Sequence, residues 1–442
     1  MKRMRKSAAC CTLYLVIGAV SALPAQTSRP PGKRVADPDA KALNDLLSAA
    51  QAAVERQDFE AAAQDYRDYL AKKPDDAVVH YDLGYAYSTL RRPADAKDEF
   101  TRAIALDPNM GDAYLNLGIT LIPDDPSGAI EPLRHAVDLL PQNARAKWFL
   151  GVALENSGKL PDAIAQFRAA RALDGSSVDF SRSLAIALLH SGRPAEAETE
   201  FRAALALHGG GPPPALVHLG LAQALVAEHK QQDAAVEMRA YLDWKPDDAK
   251  VRLDLASLLF DLDKPEEALA ELDRAAKSGP EDLRALKLRS DILWKQKRYA
   301  DAATPLQKAA ALAPNDADIS ARLGEAYLQT KDYANAAHWL ATSYHIDPAA
   351  NDVLAYLVDA EYGLKNYPQA LAALDELGRR GQLPLASWYL RASCYDKLGE
   401  AAEALDAYQK FLQLNKDQNS DMYFVSTARV RILTRELQNK KR

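Results

Sequence analysis

From Leu43 to Gln418 the apolar and polar residues return in the same order about every 34 residues. Each period reads as two short helices that face each other. A small residue lies in the first, an alanine opens the second, and a proline closes the unit. Residues 77–110 carry the order as Gly84, Tyr87, Ala96, Phe100, Ala103 and Pro108. Residues 317–350 carry it as Gly324, Tyr327, Ala336, Leu340, Ser343 and Pro348. A helical hairpin this short cannot bury its apolar face alone, but stacked hairpins bury a continuous core. The pattern therefore predicts an all-α solenoid and argues against a single globular enzyme core.

Eleven units fit the chain, at 43–76, 77–110, 111–143, 144–177, 178–211, 215–248, 249–282, 283–316, 317–350, 351–384 and 385–418. The third is one residue short, and its inter-helix turn is remade as Pro123-Asp124-Asp125-Pro126. Pro93, Pro161, Pro194, Pro265 and Pro368 mark starts of second helices, where the first-turn N–H has no intrahelical partner and φ is already helical. Pro74, Pro108, Pro141, Gly175, Pro246, Pro280, Pro314 and Pro348 mark their ends. Gly84, Gly118, Gly151 and Gly324 in first helices, with Ala62, Ala96, Ala163 and Ala336 among those in second helices, are small enough to let the two helices approach closely.

The pattern resembles that of the tetratricopeptide repeat (TPR) family: an aromatic or Leu, then Leu-Gly, Tyr, Ala, Phe, Ala and Pro at set offsets. Residues 77–110 match nearly all of it with Leu83-Gly84, Tyr87, Ala96, Phe100, Ala103 and Pro108. Residues 144–177 match with Leu150-Gly151, Ala163, Phe167 and Ala170, but carry Gly175 in place of the proline. The resemblance covers about 85% of the chain. It implies a right-handed superhelix of antiparallel helix pairs whose first helices line a concave groove.

Residues outside the repeats change the picture in three places. Lys2, Arg3, Arg5 and Lys6 precede an apolar run from Ala8 to Leu23 and small residues at Ala22 and Ala25. That order reads as a signal peptide over 1–25, cleaved near Ala25, with an uncleaved membrane anchor as the alternative, so the chain is expected to be exported to the bacterial periplasm or beyond. Losing its four cations takes the formal net charge from −6 to −10. Cys10 and Cys11 precede most of the apolar run, which is the wrong order for a lipid anchor. A Pro-rich leader spans 26–42. Gly209-Gly210-Gly211-Pro212-Pro213-Pro214 interrupts the period, with 212–214 separating five repeats from six; the segment is either a plain loop insertion or a boundary between two superhelical segments. Residues 419–442 read as a capping helix, with an apolar face of Tyr423, Val430 and Leu437 supported by Phe424, Ala428 and Leu433.

Catalytic arrangements are missing from the pattern. There is no Cys-x-x-Cys and no His-Glu-x-x-His. Gly151 and Gly158-Lys159 are spaced too widely for a phosphate-binding loop, and Leu160 stands where Ser or Thr is required. His338 and His345 share a helix face without a third ligand nearby. Cys394 occupies the place of Ala86, Ala153, Ala187, Ala224 and Ala326, as a small packing residue would. The mixed charges, 26% of residues, carry no basic stripe for nucleic acid. No enzyme, cofactor or metal is expected.

In the family's geometry, offsets two, five, nine and twelve of each first helix face the groove. Those offsets give Val78, Tyr81, Tyr85 and Ser88; Arg145, Trp148, Val152 and Glu155; Asp179, Arg182, Ile186 and Leu189; and Arg284, Lys287, Asp291 and Trp294. Tyr389 and Ser393 belong to the last repeat. Aromatics beside Arg or Lys suit peptide recognition. Tyr81, Tyr85, Arg145, Trp148, Arg182, Lys287, Trp294 and Tyr389 are therefore the candidate groove residues, although Tyr85, Trp148 and Trp294 could equally pack on a neighbouring repeat. Some TPR adaptors clamp a C-terminal carboxylate with Lys and Asn at offsets five and nine. Lys287 fits, but Asp291 would repel a carboxylate. The expected function is a non-enzymatic scaffold that binds a protein or extended peptide in envelope assembly or secretion. The alternative is an accessory subunit of an envelope enzyme complex such as one for polysaccharide synthesis or modification.

Overall fold

A computed structural model describes residues 38–207, 215–381 and 383–440. The expected signal peptide, most of the expected leader, residues 209–214 and the last two residues of the basic tail lie outside the described residues. Twenty-three helices and no strand make up the described residues. The chain divides into two compact units, one ending at Leu121 and the other beginning at Ile122.

The first unit holds α1 (Pro38–Glu55), α2 (Phe59–Lys72), α3 (Ala77–Thr89), α4 (Pro93–Leu106) and α5 (Gly111–Leu121). Helix α1 starts at Pro38, inside the expected leader. Proline is welcome in a first helical turn, so the helix runs back to it. The core stacks Tyr66, Leu83, Tyr87 and Phe100 on small residues such as Ala62 and Ala96. A Cβ added at Gly84 would lie 2.8 Å from the Phe100 ring, which shows why glycine is needed there. A buried hydrogen bond of 2.5 Å joins His80 Nδ1 to Glu99 and links α3 to α4. His80 stands where the repeat pattern has an aromatic or Leu.

The second unit continues with α6 (Pro126–Leu139), α7 (Ala144–Asn156), α8 (Leu160–Leu173), α9 (Val178–His190), α10 (Pro194–Ala206), α11 (Ala215–Ala227) and α12 (Gln231–Trp244). Then come α13 (Ala249–Asp261), α14 (Pro265–Lys277), α15 (Leu283–Lys295), α16 (Tyr299–Leu312), α17 (Ala317–Gln329) and α18 (Tyr333–Ile346). The unit ends with α19 (Asn351–Gly363), α20 (Tyr367–Arg380), α21 (Leu385–Leu398), α22 (Ala401–Leu414) and α23 (Asp421–Lys440). Close approach recurs here. A Cβ at Gly151 would sit 2.6 Å from Phe167, and one at Gly324 would sit 2.6 Å from Leu340. Helices α10 and α11 flank residues 209–214 and belong to this same unit, with the Phe201 ring 2.4 Å from the place a Gly220 Cβ would take.

The turn between the two helices of a repeat uses one backbone device in every repeat but the third. One residue takes a left-handed conformation, with φ from 57° at Lys297 to 78° at Gly399. Glycine supplies it at Gly158, Gly192 and Gly399, but Gln57, Arg91, His229, Asp263, Lys297, Lys331 and Lys365 adopt it at a cost of about 1 kcal/mol each. Gly158 is thus a turn residue, which accounts for its superficial likeness to a phosphate loop. First helices are capped by the last residue of the preceding repeat, through side chains such as Asp76, Asn143, Ser177, Asp248, Asp282 and Asp316.

Successive first helices touch each other: α3 with α5 in the first unit, and α7 with α9, α9 with α11, α13 with α15 and α17 with α19 in the second. Among the described residues no pair of successive second helices packs comparably. In a bent stack only the inner row closes up in this way, so in each unit the first helices line the inside of the bend.

Helix α23 caps the last repeat through the stripe that Tyr423, Val430 and Leu437 mark, but two residues expected beside that stripe lie outside it. Ser426 and Leu433 are buried, Val430 packs beside them, and Arg429 forks onto Asp396 with an Nε–O distance of 2.7 Å. Phe424 and Ala428 face solvent. Residues spaced seven apart define one stripe of a helix, and positions 424 and 428 lie well off the stripe of 423, 430 and 437.

Candidate functional site

In the first unit, α3 presents Val78, Tyr81 and Tyr85 on the inner face. The Tyr81 ring tilts against Phe100 at 5.9 Å, and its hydroxyl accepts a 3.0 Å hydrogen bond from Asn116 on α5. Burial, reinforced by Asp112 and Asp82, pushes this phenol up to about 12. Tyr81 therefore ties two repeats together. Tyr85 stands edge-on to Phe59 at 6.4 Å, and its hydroxyl has no partner among the described residues. Val78 is 57% exposed. Between them lies Asp82, which the sequence pattern did not single out. Burial, then the nearby Asp76, pushes its carboxyl up to about 6.

In the second unit, α7 carries Arg145 and Trp148, and the adjoining α9 carries Arg182. The Arg145 guanidinium lies 5.4 Å over the Phe149 ring. Trp148 sits between Phe149 at 4.7 Å and Phe180 at 5.7 Å, and its Nε1 donates to Ser183 Oγ at 2.9 Å. Its indole is a pin between repeats four and five, and only part of it remains for a ligand. Arg182 donates to Asp179 one turn back, at 2.9 Å.

Further along, the first helices are tied to their neighbours through ion pairs. Arg284 reaches Asp254 at 2.8 Å, Lys287 reaches Asp316 at 2.8 Å, Lys295 reaches Asp263 at 2.7 Å, and Arg322 pairs with Asp291. Arg284, Lys295 and Arg322 reach into a neighbouring repeat, and Lys287 reaches the residue that caps α17. Trp294 stands edge-on to Tyr299 at 4.9 Å with the Arg322 guanidinium 6.0 Å over it. The two residues of the would-be carboxylate clamp, Lys287 and Asp291, are thus both engaged within the chain. Tyr389, away on α21, packs on Tyr408 at 6.2 Å and Phe411 at 5.5 Å, and burial raises its phenol.

The most open apolar part of this face lies on α11, where no candidate was named. Leu216 is 58% exposed and Val226 40% exposed. Leu219 is half-buried beside them, as are Ile186 and Leu189 on the neighbouring α9. The signal was present in the sequence. Residues 215–227 read Ala-Leu-Val-His-Leu-Gly-Leu-Ala-Gln-Ala-Leu-Val-Ala, apolar nearly all round, whereas a helix with one solvated face carries polar residues there.

Reactive chemistry is not assembled among the described residues. Cys394 is fully buried, and burial pushes its thiol up to about 11, away from the thiolate a nucleophile needs. His338 and His345 are exposed, and no three His, Cys, Asp or Glu side chains are grouped to hold a metal ion among the described residues. No helix among those residues is long and apolar enough to cross a membrane.

Paired helices, small residues at each crossing and an inner row of first helices define an α-helical repeat scaffold. The chain belongs to the tetratricopeptide repeat family: models of that repeat match residues 47–108, 81–122, 124–178, 182–249, 253–317 and 357–419, and a second one residues 293–343. A curated relative, the Protein SGT1 homolog of Oryza sativa subsp. japonica, is 37% identical over 81 residues, which is 18% of this chain and 22% of that protein. Among solved structures, MamA residues 41–end from Desulfovibrio magneticus RS-1 is 22% identical with a TM-score of 0.37, covering 38% of this chain and 94% of its own. Pseudomonas aeruginosa PilF is 22% identical with a TM-score of 0.40, covering 50% and 95%. YrrB, a TPR protein with an unusual peptide-binding site, is 22% identical with a TM-score of 0.37, covering 44% and 100%.

Proposed function

We propose that the inner face of α9 and α11 is the primary contact surface for a protein partner, which it engages through apolar side chains of an extended or helical segment. The chain is a TPR protein-interaction scaffold, and the open apolar residues Leu216 and Val226 carry the choice of surface. Apolar area left in water on the inside of a bend is inexpensive to cover, because the walls are already ordered. Arg182 at its edge supplies a cation whose present partner, Asp179, is an exposed surface acid. The ion-paired stretch from α13 to α17 would have to break its own contacts to bind.

The place of action we propose is the bacterial envelope, in assembly or secretion. The support is the basic segment of Lys2 to Lys6, the apolar run after it and the small residues at Ala22 and Ala25. Affinity purification from an envelope fraction, with wild type and a Leu216→Asp, Val226→Asp variant side by side, tests both statements. Assembly or secretion components retained by wild type and lost by the variant are expected. A polysaccharide synthase in the eluate would favour the accessory-subunit role instead. Equal retention by both forms would move the contact surface away from α11. N-terminal sequencing is expected to begin near Gln26; Met1 recovered from a cytoplasmic fraction would rule out export.

A further inference from the structure

The outward face of the capping helix α23 is a second unoccupied surface, and its order of residues is informative. Asp421, Phe424, Val425, Ala428, Arg431, Ile432 and Arg435 are all exposed and fall at alternating spacings of three, one, three, three, one and three residues. That spacing is one continuous stripe of a helix. Phe424 is 61%, Val425 44% and Ile432 42% exposed. The opposite face holds Ser426, Leu433 and the Arg429–Asp396 fork against the last repeat, so the stripe cannot turn inward.

The stripe is its own complement when reversed about Ala428. Phe424 and Ile432 lie four residues on either side of it, Val425 and Arg431 three, and Asp421 and Arg435 seven. Two such helices laid antiparallel, with a two-fold axis through Ala428, would place Phe424 on Ile432 of the second copy. The aliphatic stem of Arg431 would cover Val425. Asp421 would meet Arg435 at both ends, and neither has an ion-pair partner among the described residues of one chain. Alanine at the axis lets the helices approach closely. We propose that α23 is a self-association surface, through which two copies of this chain join end to end as an antiparallel, two-fold symmetric pair.

A self-complementary patch is what a two-fold dimer requires, since each residue must meet its counterpart twice. The stripe runs about 21 Å along the helix axis. One helix pair is smaller than a standard interface, so the dimer is expected to be concentration-dependent.

Sedimentation velocity on the full chain, over a concentration series in the micromolar range, tests the proposal. Wild type is expected to show a monomer–dimer equilibrium, and Phe424→Glu to raise the dimer dissociation constant at least 30-fold. The residue is exposed, so circular dichroism should remain that of wild type. Asp421→Arg and Arg435→Asp should each weaken the dimer by placing like charges opposite each other. The double variant Asp421→Arg, Arg435→Asp should restore it, which loss of helix stability could not do. A chain that stays monomeric, a dimer indifferent to Phe424→Glu, or a double variant that fails to recover would each overturn the proposal.

Discussion

Helices α9 and α11 and helices α13 to α17 present the same offsets of the same repeat, yet their inner faces differ in kind. The first leaves Leu216 and Val226 open, with Ile186 and Leu189 half-covered. The second spends its polar groups on itself through Arg284–Asp254, Lys287–Asp316, Lys295–Asp263 and Arg322–Asp291. An apolar surface in water gains by being covered, at roughly 25 cal/mol per Å². An ion-paired surface must first lose its pairs and desolvate the charges, which a new partner repays only with good geometry. The scaffold supplies positions, and the side chains at those positions decide which stretch can bind.

The largest effect should come from charging the open stretch. Leu216→Asp with Val226→Asp is expected to weaken partner binding at least 100-fold, because each substitution places a charge where an apolar contact forms, at about 2 kcal/mol per anchor. Arg284→Ala with Arg322→Ala should change it less than about threefold, since those side chains already have partners in the chain. Titration of the purified partner against the two variants measures the difference. Equal losses would erase the contrast between the two stretches.

Trp148 tests where packing ends and recognition begins. It stacks between Phe149 and Phe180 and bonds to Ser183, so Trp148→Ala should lower stability by about 3 kcal/mol. Trp148→Phe keeps most of the ring contact and should lose only about 1 kcal/mol with the hydrogen bond. Hydrogen exchange in α7 and α9, read beside a urea melt, locates the loss. If Trp148→Ala melts like wild type, the indole is free for a ligand after all. A combined substitution of Tyr81, Tyr85, Arg145, Trp148 and Arg182 is a poor probe of binding for the same reason: Tyr81 and Trp148 hold repeats together.

The repeat was legible because its causes are local. Glycine at 84, 151 and 324 is dictated by the Phe or Leu it faces, and proline at the second-helix starts by an unneeded N–H. The element boundaries follow from these. The site was less legible because exposure is a property of neighbours. Nothing in the string shows that Lys287 will find Asp316, 29 residues on, or that Trp148 will bond to Ser183, 35 residues on. On α23 the seven-residue spacing of Tyr423, Val430 and Leu437 marks the inward face, and Leu433 joins it, but Phe424 and Ala428, expected beside it, lie about 100° or more around the helix. The apolar run of α11, by contrast, was on view and was passed over.

A smaller effect separates paired from unpaired carboxylates. Asp82 in the first unit has no cation beside it, and burial pushes its carboxyl up to about 6, whereas the hydrogen bond from Lys295 holds Asp263 below the usual range. Between about pH 4 and about pH 6 the folded chain keeps a proton on Asp82 that the unfolded chain releases. The associated stability is full below pH 4 and is lost as the pH rises through 6. Asp82→Asn should therefore stabilise the first unit at pH 7 by up to about 3 kcal/mol and change it little at pH 4. Urea melts of both forms across that range check the sign, and a variant less stable at pH 7 would mean that the carboxylate makes a favourable contact.

The smallest effect concerns the ion-paired stretch itself. Arg322 and Asp291 keep 44% and 37% of their side-chain surface in solvent, so water screens their attraction and their long side chains lose freedom on pairing. The guanidinium also lies 6.0 Å over Trp294, which adds about 0.5 kcal/mol at an exposed site. Arg322→Ala should thus lower stability by less than about 1 kcal/mol, and 1 M salt should remove most of the difference from wild type. A double-mutant cycle with Asp291→Ala isolates the pair from the stacking. A coupling above about 2 kcal/mol, or one indifferent to salt, would mean that the ion pairs of α13 to α17 act as one stiff network. That stretch would then be a brace holding the inner face of α11 in shape, and Arg284→Ala with Arg322→Ala should weaken partner binding as well.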